Sequence, residues 1–354
     1  MVERPQALQC VYNHARELVE TAITCPARPM PVMIWGPPGV GKSDMMKSIA
    51  TKYNMEMADI RLSSLDPVDL RGVPRITEEG KTQFCIPSFF PTKDVPTLMF
   101  FDELNQAPKS IQNAALQLIL DRQIGEYRLP PSVRMVAAGN RMEDLCYVQP
   151  LSEALKTRML HLELVPDLDE WLKWARVSGI NATICGFLQF KTSLLCCKIE
   201  GSHTSPNPRT WHFASDLING IDEDNLERIH GAMAMAVGLG PAQEYMSYRK
   251  VYAMFSIDEI LNGKLPAFLI DKDKHADKSS SIKFALCSAM ANAINHNKEK
   301  GKENNLLKFM KACDKEYVTL LFRNLTEEKS IALTENKAIK EYTFEIVDKV
   351  YSKI

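Results

Sequence analysis

A chain of 354 residues with 45% apolar and 25% charged side chains has the composition of a folded protein with room for two or three domains, which excludes a disordered or fibrous chain. Its formal net charge of -1 provides no overall field for nucleic acid or an anionic membrane, so a DNA-facing role would require a local basic patch. Nine cysteines without a CxxC pair read as buried or incidental thiols of a reducing compartment, and the lack of any apolar stretch of membrane-spanning length or signal-type h-region points to the cytoplasm.

In chain order, the first regular element is the apolar run Val32–Trp35, read as a strand. It leads into Gly36-Pro37-Pro38-Gly39-Val40-Gly41-Lys42-Ser43, and a helix follows from near Lys42 through Asp44 and Met45. A second strand is expected over Met57–Leu62. Then Gly72–Ile76 and Lys81–Ile86 flank Thr77-Glu78-Glu79-Gly80, a β-hairpin pattern that interrupts the strand and helix alternation. Strands over Thr97–Phe101, Val133–Ala138 and Leu160–Leu164 and a helix over Lys109–Arg122 complete a parallel sheet covered on both faces. Beyond Pro166, strand-like runs become scarce. Leu168–Val177, Asn181–Phe190, Thr210–Ile218, Asn225–Val237 and Tyr245–Phe255 read as helices, and Asp271–Ser281 and Asn295–Asn305 read as solvated loops between further helices. The fold class is α/β, with an α/β core over 1–165 (hairpin insert about 72–88), an α-helical lid over 166–255 and a helical extension over 256–354. No internal repeat is evident.

The loop from Gly36 to Ser43 is a phosphate-binding loop: glycines free backbone N–H groups for phosphate, the helix dipole points at them, and the lysine adds a full charge. Gly36, Pro37, Pro38, Gly39, Val40, Gly41, Lys42, Ser43 and Asp44 are therefore the expected ATP contacts, with the Ser43 hydroxyl on Mg²⁺. Leu98-Met99-Phe100-Phe101-Asp102-Glu103 is a buried strand ending in two carboxylates. Asp102 is expected to complete the Mg²⁺ shell and Glu103 to orient and polarise the attacking water. Asn140 ends the strand expected beside it, placed for water and the γ-phosphate. Trp171 and Trp174 at helical spacing read as packing residues, and His161 as a satisfied core or edge histidine.

These blocks resemble the AAA+ ATPases, and within them the MoxR-like branch that includes the CbbQ and NorQ proteins. The resemblance spans about Met30 to Ile218. It rests on the double-proline phosphate loop, the Asp-Glu strand followed by Asn105-Gln106-Ala107-Pro108, the strand ending in Asn140, and Leu151-Ser152-Glu153-Ala154-Leu155-Lys156-Thr157-Arg158. Leu62–Gly72 resembles the stretch before the family's helix-2 insert, which would account for the hairpin. Gln106, where many relatives have Arg, and Arg141, where they have Pro, depart from the pattern.

The resemblance implies that Arg158 is an arginine finger reaching a neighbouring subunit's site, with Arg141 as the alternative in trans. It implies that Arg209, in Ser205-Pro206-Asn207-Pro208-Arg209-Thr210-Trp211, is a sensor-2 arginine touching the γ-phosphate in cis. A basic residue in a helix's first turn opposes the dipole, which favours a functional role for Arg209. The implied activity is Mg²⁺-ATP hydrolysis by a ring, expected to be a hexamer. The ring would remodel a protein client, and MoxR-like proteins often act with a partner carrying a von Willebrand factor A domain. A DNA-associated AAA+ motor or loader is the first alternative, and a non-hydrolysing nucleotide-binding assembly module another. A guanine-reading switch is disfavoured, since Asn336-Lys337-Ala338-Ile339 lacks the final Asp.

Overall fold

The structure is a computed structural model and describes residues 7–144, 148–253, 256–270, 279–295 and 297–351. Phe255, the end of one expected helix, and residues 271–278 of an expected loop lie outside the described residues. The chain separates into two units, Met1–Trp171 with Asn207–Arg209, and Leu172–Pro206 with Thr210–Ile354.

The first unit runs β1 (Leu8–Cys10), α1 (Tyr12–Ile23), β2 (Val32–Trp35), α2 (Lys42–Lys52), β3 (Glu56–Arg61), α3 (Pro67–Arg71), β4 (Pro74–Ile76), β5 (Thr82–Phe84) and β6 (Thr97–Asp102). It continues through α4 (Lys109–Asp121), β7 (Gln123–Ile124), β8 (Tyr127–Arg128), β9 (Val133–Gly139), α5 (Glu153–Lys156) and β10 (Leu160–Leu164). Six strands form one parallel sheet in the order β1-β10-β2-β9-β6-β3. Thr97 to Phe101 of β6 are all buried, as a strand covered on both faces must be, and this is why it reads as a continuous apolar run. The five expected strands are present. β1 is a sixth, paired with β10 at the sheet edge, and its three residues, two of them exposed, carry no readable periodicity.

Helix α4 buries Ile111, Ala114, Ala115, Leu118 and Ile119 in a cluster with Met99, Phe101 and Met135 of the sheet. Truncating the fully buried Leu118 to Ala would cost about 2–5 kcal/mol. The hairpin β4–β5 pairs Arg75 with Gln83 in register, and the Arg75 guanidinium donates to Gln83 Oε1 at 2.6 and 3.1 Å. Gly80 closes the turn at φ +75°, a conformation that a side chain would strain. Val73, Ile76, Phe84 and Ile86 are exposed along the hairpin, Ile76 to 81%.

The second unit is helical: α6 (Leu168–Val177, entered from the first unit), α7 (Ala182–Phe190), α8 (Pro208–Asn219), α9 (Leu226–Val237), α10 (Leu239–Ala253) and α11 (Ile257–Leu261). Then follow α12 (Ala267–Ile270), α13 (Ser279–Asn295), α14 (Glu303–Ala312), α15 (Lys315–Arg323), α16 (Glu327–Glu335) and α17 (Lys337–Tyr351). Phe187 centres an aromatic cluster with Trp211, Tyr245 and Tyr248 at 5.6–5.8 Å between ring centroids. A second core joins α11 to α17 around Leu306, Phe309, Met310 and Ile339. Helix α10 starts six residues before the expected Tyr245. Gly238-Leu239-Gly240-Pro241 looks like a loop, but Pro241 lies in the first turn, where its missing N–H breaks no helical bond. Trp171 is buried, whereas Trp174 is 42% exposed and edge-on to His212 at 5.3 Å.

Candidate nucleotide site

The site grows from the C-terminal ends of three neighbouring strands, β2, β9 and β6. The chain leaves β2 at Trp35 and turns through Gly39 (φ +78°) and Gly41 (φ +99°), both left-handed, before α2 begins at Lys42. Space demands glycine here as well. A Cβ on Gly41 would lie 3.2 Å from the Tyr12 ring, and one on Gly39 would collide with the Asn207 side chain and press on Cβ of Arg209. Thus Asn207 and Arg209, at the start of α8, pack with the first unit against the phosphate loop.

Lys42 is buried, and its Nζ donates to Gly36 O (2.7 Å), Pro37 O (3.0 Å) and Asn140 Oδ1 (3.1 Å). The lysine therefore links the loop to the end of β9. Ser43 Oγ donates to Asp102 Oδ2 at 3.4 Å, joining α2 to the end of β6. Burial pushes the Asp102 carboxyl above its ordinary value, the adjacent Glu103 charge adds to this, and the Glu103 N–H and Lys42 oppose it. A half-buried carboxylate beside a serine hydroxyl, destabilised as an anion, suits a hard divalent cation, so Ser43 and Asp102 fit Mg²⁺.

Glu103 follows at φ +56°, a left-handed conformation rare for a non-glycine residue. Ser63 Oγ donates to its carboxylate, and Arg61 Nε stands 3.9 Å away. The pairing of Arg61 with Asp102 in the β3–β6 register brings these residues alongside. Asn140 is fixed by reciprocal bonds with Asn105: Asn105 Nδ2 donates to Asn140 O at 2.7 Å, and Asn140 N donates to Asn105 Oδ1 at 3.2 Å. Gly139 makes room for this pair, because a Cβ there would come within 2.5 Å of Asn105 Oδ1.

The three arginines stand in different settings. Arg141 is held inside its own chain, its Nη1 2.9 Å from Glu163 and 2.7 Å from Glu143, and its Nη2 2.8 Å from Asp144. Burial alone would lower its pKa, but the hydrogen bonds it donates to Asp144 and Glu163 outweigh that and raise it. Arg158 is exposed just beyond α5, its Nη1 donating to Ala154 O at 3.0 Å. Arg209 is also exposed. His161 is satisfied at both ring nitrogens. Trp35 Nε1 donates to Nδ1 at 3.0 Å, which leaves the proton on Nε2, 2.7 Å from Lys156 O.

Sequence reading did not single out Tyr12, Ser63, Arg61, Asn105 in its bonding role, or Asn207. The Asn207-Pro208-Arg209 run alone carried a signal, since it was already marked by Arg209. Among the described residues, no three His, Cys, Asp or Glu side chains cluster as a metal site, and no helix is long and apolar enough to cross a membrane.

Residues 32–164 match the family model of the ATPase family associated with various cellular activities (AAA). The six-stranded sheet with its phosphate loop has the AAA fold. Solved structures similar to the chain include the RuvB Holliday junction branch migration motor of Thermotoga maritima, at 18% identity and TM-score 0.41, covering 72% of this chain and 76% of that one. NtrX from Brucella abortus is 18% identical with TM-score 0.38 over 85% of this chain and 69% of its own. A putative ATPase from Cytophaga hutchinsonii is 13% identical with TM-score 0.34 over 95% and 88%. No curated protein matches the chain in sequence.

Proposed function

We propose that the protein is a Mg²⁺-dependent ATPase that acts as a ring, hexameric by its resemblance, and remodels a protein client. The observation that carries this reading is the convergence of Lys42, Ser43, Asp102, Glu103 and Asn140 at the ends of three adjacent strands, connected by hydrogen bonds. Each has a distinct task. The loop N–H groups and Lys42 hold the phosphates, Ser43 and Asp102 hold the cation, and Glu103 and Asn140 address the attacking water. When bound, Mg²⁺ neutralises charge between the phosphates. Arg209, seated on Gly39 through its Cβ, reads the γ-phosphate in cis, and the exposed Arg158 completes a neighbour's site. Arg141 is unsuited to that second role because its guanidinium is occupied by carboxylates of its own chain.

A protein client is supported by the hairpin, whose exposed Val73, Ile76, Phe84 and Ile86 offer an apolar contact on a projecting element. A partner with a von Willebrand factor A domain follows from the MoxR-like resemblance and is testable by co-purification. The decisive measurement is ATP binding and turnover in Glu103→Gln. Binding should survive while turnover falls at least about a hundredfold; undiminished turnover rejects the assignment. Mixing inactive Lys42→Ala with inactive Arg158→Ala should restore part of the activity, since each lacks a different half of a shared site. Absence of rescue rejects the trans role of Arg158.

A further inference from the structure

Arg158 is carried on a short turn between α5, which ends at Lys156, and β10, which begins at Leu160. The turn is tied down on either side of the arginine. Arg158 N donates to Leu155 O at 3.3 Å, Met159 is buried, and Leu160 N donates to Pro31 O at 2.9 Å. The last carbonyls of a helix lack intrahelical partners, and that of Lys156 is taken by the His161 ring, whose Nε2 lies 2.7 Å away. This bond closes residues 156–161 into a loop with Arg158 inside it, and the Arg158 guanidinium rests on Ala154 O at 3.0 Å.

His161 is itself anchored from the other side. An indole N–H is a donor only, so Trp35 Nε1, 3.0 Å from His161 Nδ1, requires an unprotonated Nδ1 and leaves the ring proton on Nε2, facing Lys156 O. The two ring planes lie 15° apart, as suits an N–H aimed at an in-plane lone pair. Trp35 is the last residue of β2, and the next residue, Gly36, accepts from Lys42 Nζ at 2.7 Å through its carbonyl. A neutral imidazole has one donor and one acceptor. Here both are spent on one line of bonds from the root of the phosphate loop to the turn that carries Arg158. Sheet register allows it, since His161 pairs with Met33 across β10 and β2, two residues before Trp35. The phosphate loop does not need the bond in return, because Lys42 Nζ already ties Gly36, Pro37 and Asn140 together.

We propose that His161 is a positioning residue for Arg158: by joining Trp35 to Lys156 O, it fixes against the subunit's own sheet the arginine which that subunit offers to its neighbour. This role rests on Arg158 acting in trans. A finger works by being presented at a fixed distance, and misplacing a catalytic group by about 1 Å costs about a hundredfold in rate. An exposed turn without the bridge would carry the arginine with it as it moved. Loss of the bridge therefore harms the neighbour's site and spares the subunit's own.

The test places His161→Leu in one role at a time in mixed assemblies of the full chain. Lys42→Ala serves as the donor of the finger, and Arg158→Ala as the subunit whose own site turns over. Added to the Lys42→Ala donor, His161→Leu should lower the restored turnover at least about tenfold, with KM for ATP unmoved, since the site being measured is intact. Added instead to the Arg158→Ala subunit, it should leave the restored turnover within about threefold. Trp35→Phe in the donor, which deletes one N–H and keeps a ring, should reproduce the loss in weaker form. Turnover lowered equally in both placements makes His161 a residue of general stability, and turnover lowered in neither makes it idle; either outcome overturns the proposal and leaves the ATPase reading standing. No restored turnover between Lys42→Ala and Arg158→Ala themselves removes the trans finger, and the role of His161 with it. Should His161→Leu fail to fold by circular dichroism, Trp35→Phe in the two placements decides alone.

Discussion

Arg141 and Arg158 make opposite predictions, and the difference can be worked from their surroundings. Arg141 bridges Glu163 and Asp144, whose side chains are 7% and 8% exposed, and also meets Glu143, which is more than half exposed. The exposed pair contributes about 0–1 kcal/mol. Removing the guanidinium takes this cation away from two buried carboxylates, which keep only bonds such as those from Arg141 N–H to Asp144 and from Gln9 to Glu163, and breaking a buried pair costs about 3–5 kcal/mol. At roughly 2–4 °C per kcal/mol for a domain of this size, Arg141→Met should lower the melting temperature of the first unit by on the order of 10 °C. The loss comes from the burial of the anions rather than from a missing attraction. Adding Glu163→Gln to Arg141→Met should therefore recover part of it, and urea midpoints of the four combinations would measure the coupling. ATPase activity assayed in the cold, below the lowered transition, should stay within a few fold of the parent. Arg158→Ala should do the reverse. An exposed side chain on a short turn changes stability by within about 0.5 kcal/mol, while loss of a finger removes about 10³–10⁵ in turnover. If Arg141→Met melts with the parent yet loses turnover, the ion-pair reasoning is refuted and Arg141 works on nucleotide.

Three further outcomes follow from the geometry of the first unit and the thiols. Burial raises the Asp102 pKa, so the stability linked to this group is complete below its unfolded-state pKa and is lost as pH rises through the raised folded value. At neutral pH without Mg²⁺, Asp102→Asn should melt above the parent and gain nothing from added Mg²⁺; a lower melting point in that buffer would contradict the assignment. Ser63→Ala removes a hydrogen bond to the Glu103 carboxylate, a class worth about 1.5–3 kcal/mol, and should release that side chain and raise basal turnover by up to about tenfold. Unchanged turnover would mean that Ser63 does not hold it. In timed alkylation followed by peptide mass spectrometry, exposed Cys85 and half-buried Cys25, whose thiol pKa is lowered by hydrogen bonds from the Arg28 and Ala27 N–H groups, should react ahead of the other described thiols. Cys287 and Cys313, buried with their Sγ atoms 4.0 Å apart, should stay protected until urea is added, because their mutual hydrogen bond and burial push the Cys287 thiol pKa up. Equal labelling rates would refute that placement.

What could be read from residues alone follows the range over which each constraint acts. Strand ends and the phosphate loop were legible because their chemistry and the flanking periodicity lie within about ten contiguous residues: Lys42 with its glycines, or Asp102 and Glu103 closing a buried run. The settings of the same residues were not legible, because sheet register decides them. Ser63 meets Glu103 only because Arg61 pairs with Asp102 across β3 and β6, forty residues apart in sequence. Arg141 resembled a finger until β10 brought Glu163 to it, and that adjacency depends on both strands flanking the ends of β2. Tyr12 on Gly41 and Asn207 on Gly39 are the same kind of fact, each a contact between a distant segment and a glycine chosen for its left-handed turn. The loop's glycines therefore carry two constraints at once, one local and visible in the spelling of the motif, the other tertiary and visible only as a collision that a Cβ would cause. Gly39→Ala imposes both, so its effect should exceed the cost of the backbone strain alone, which is of order 1–3 kcal/mol.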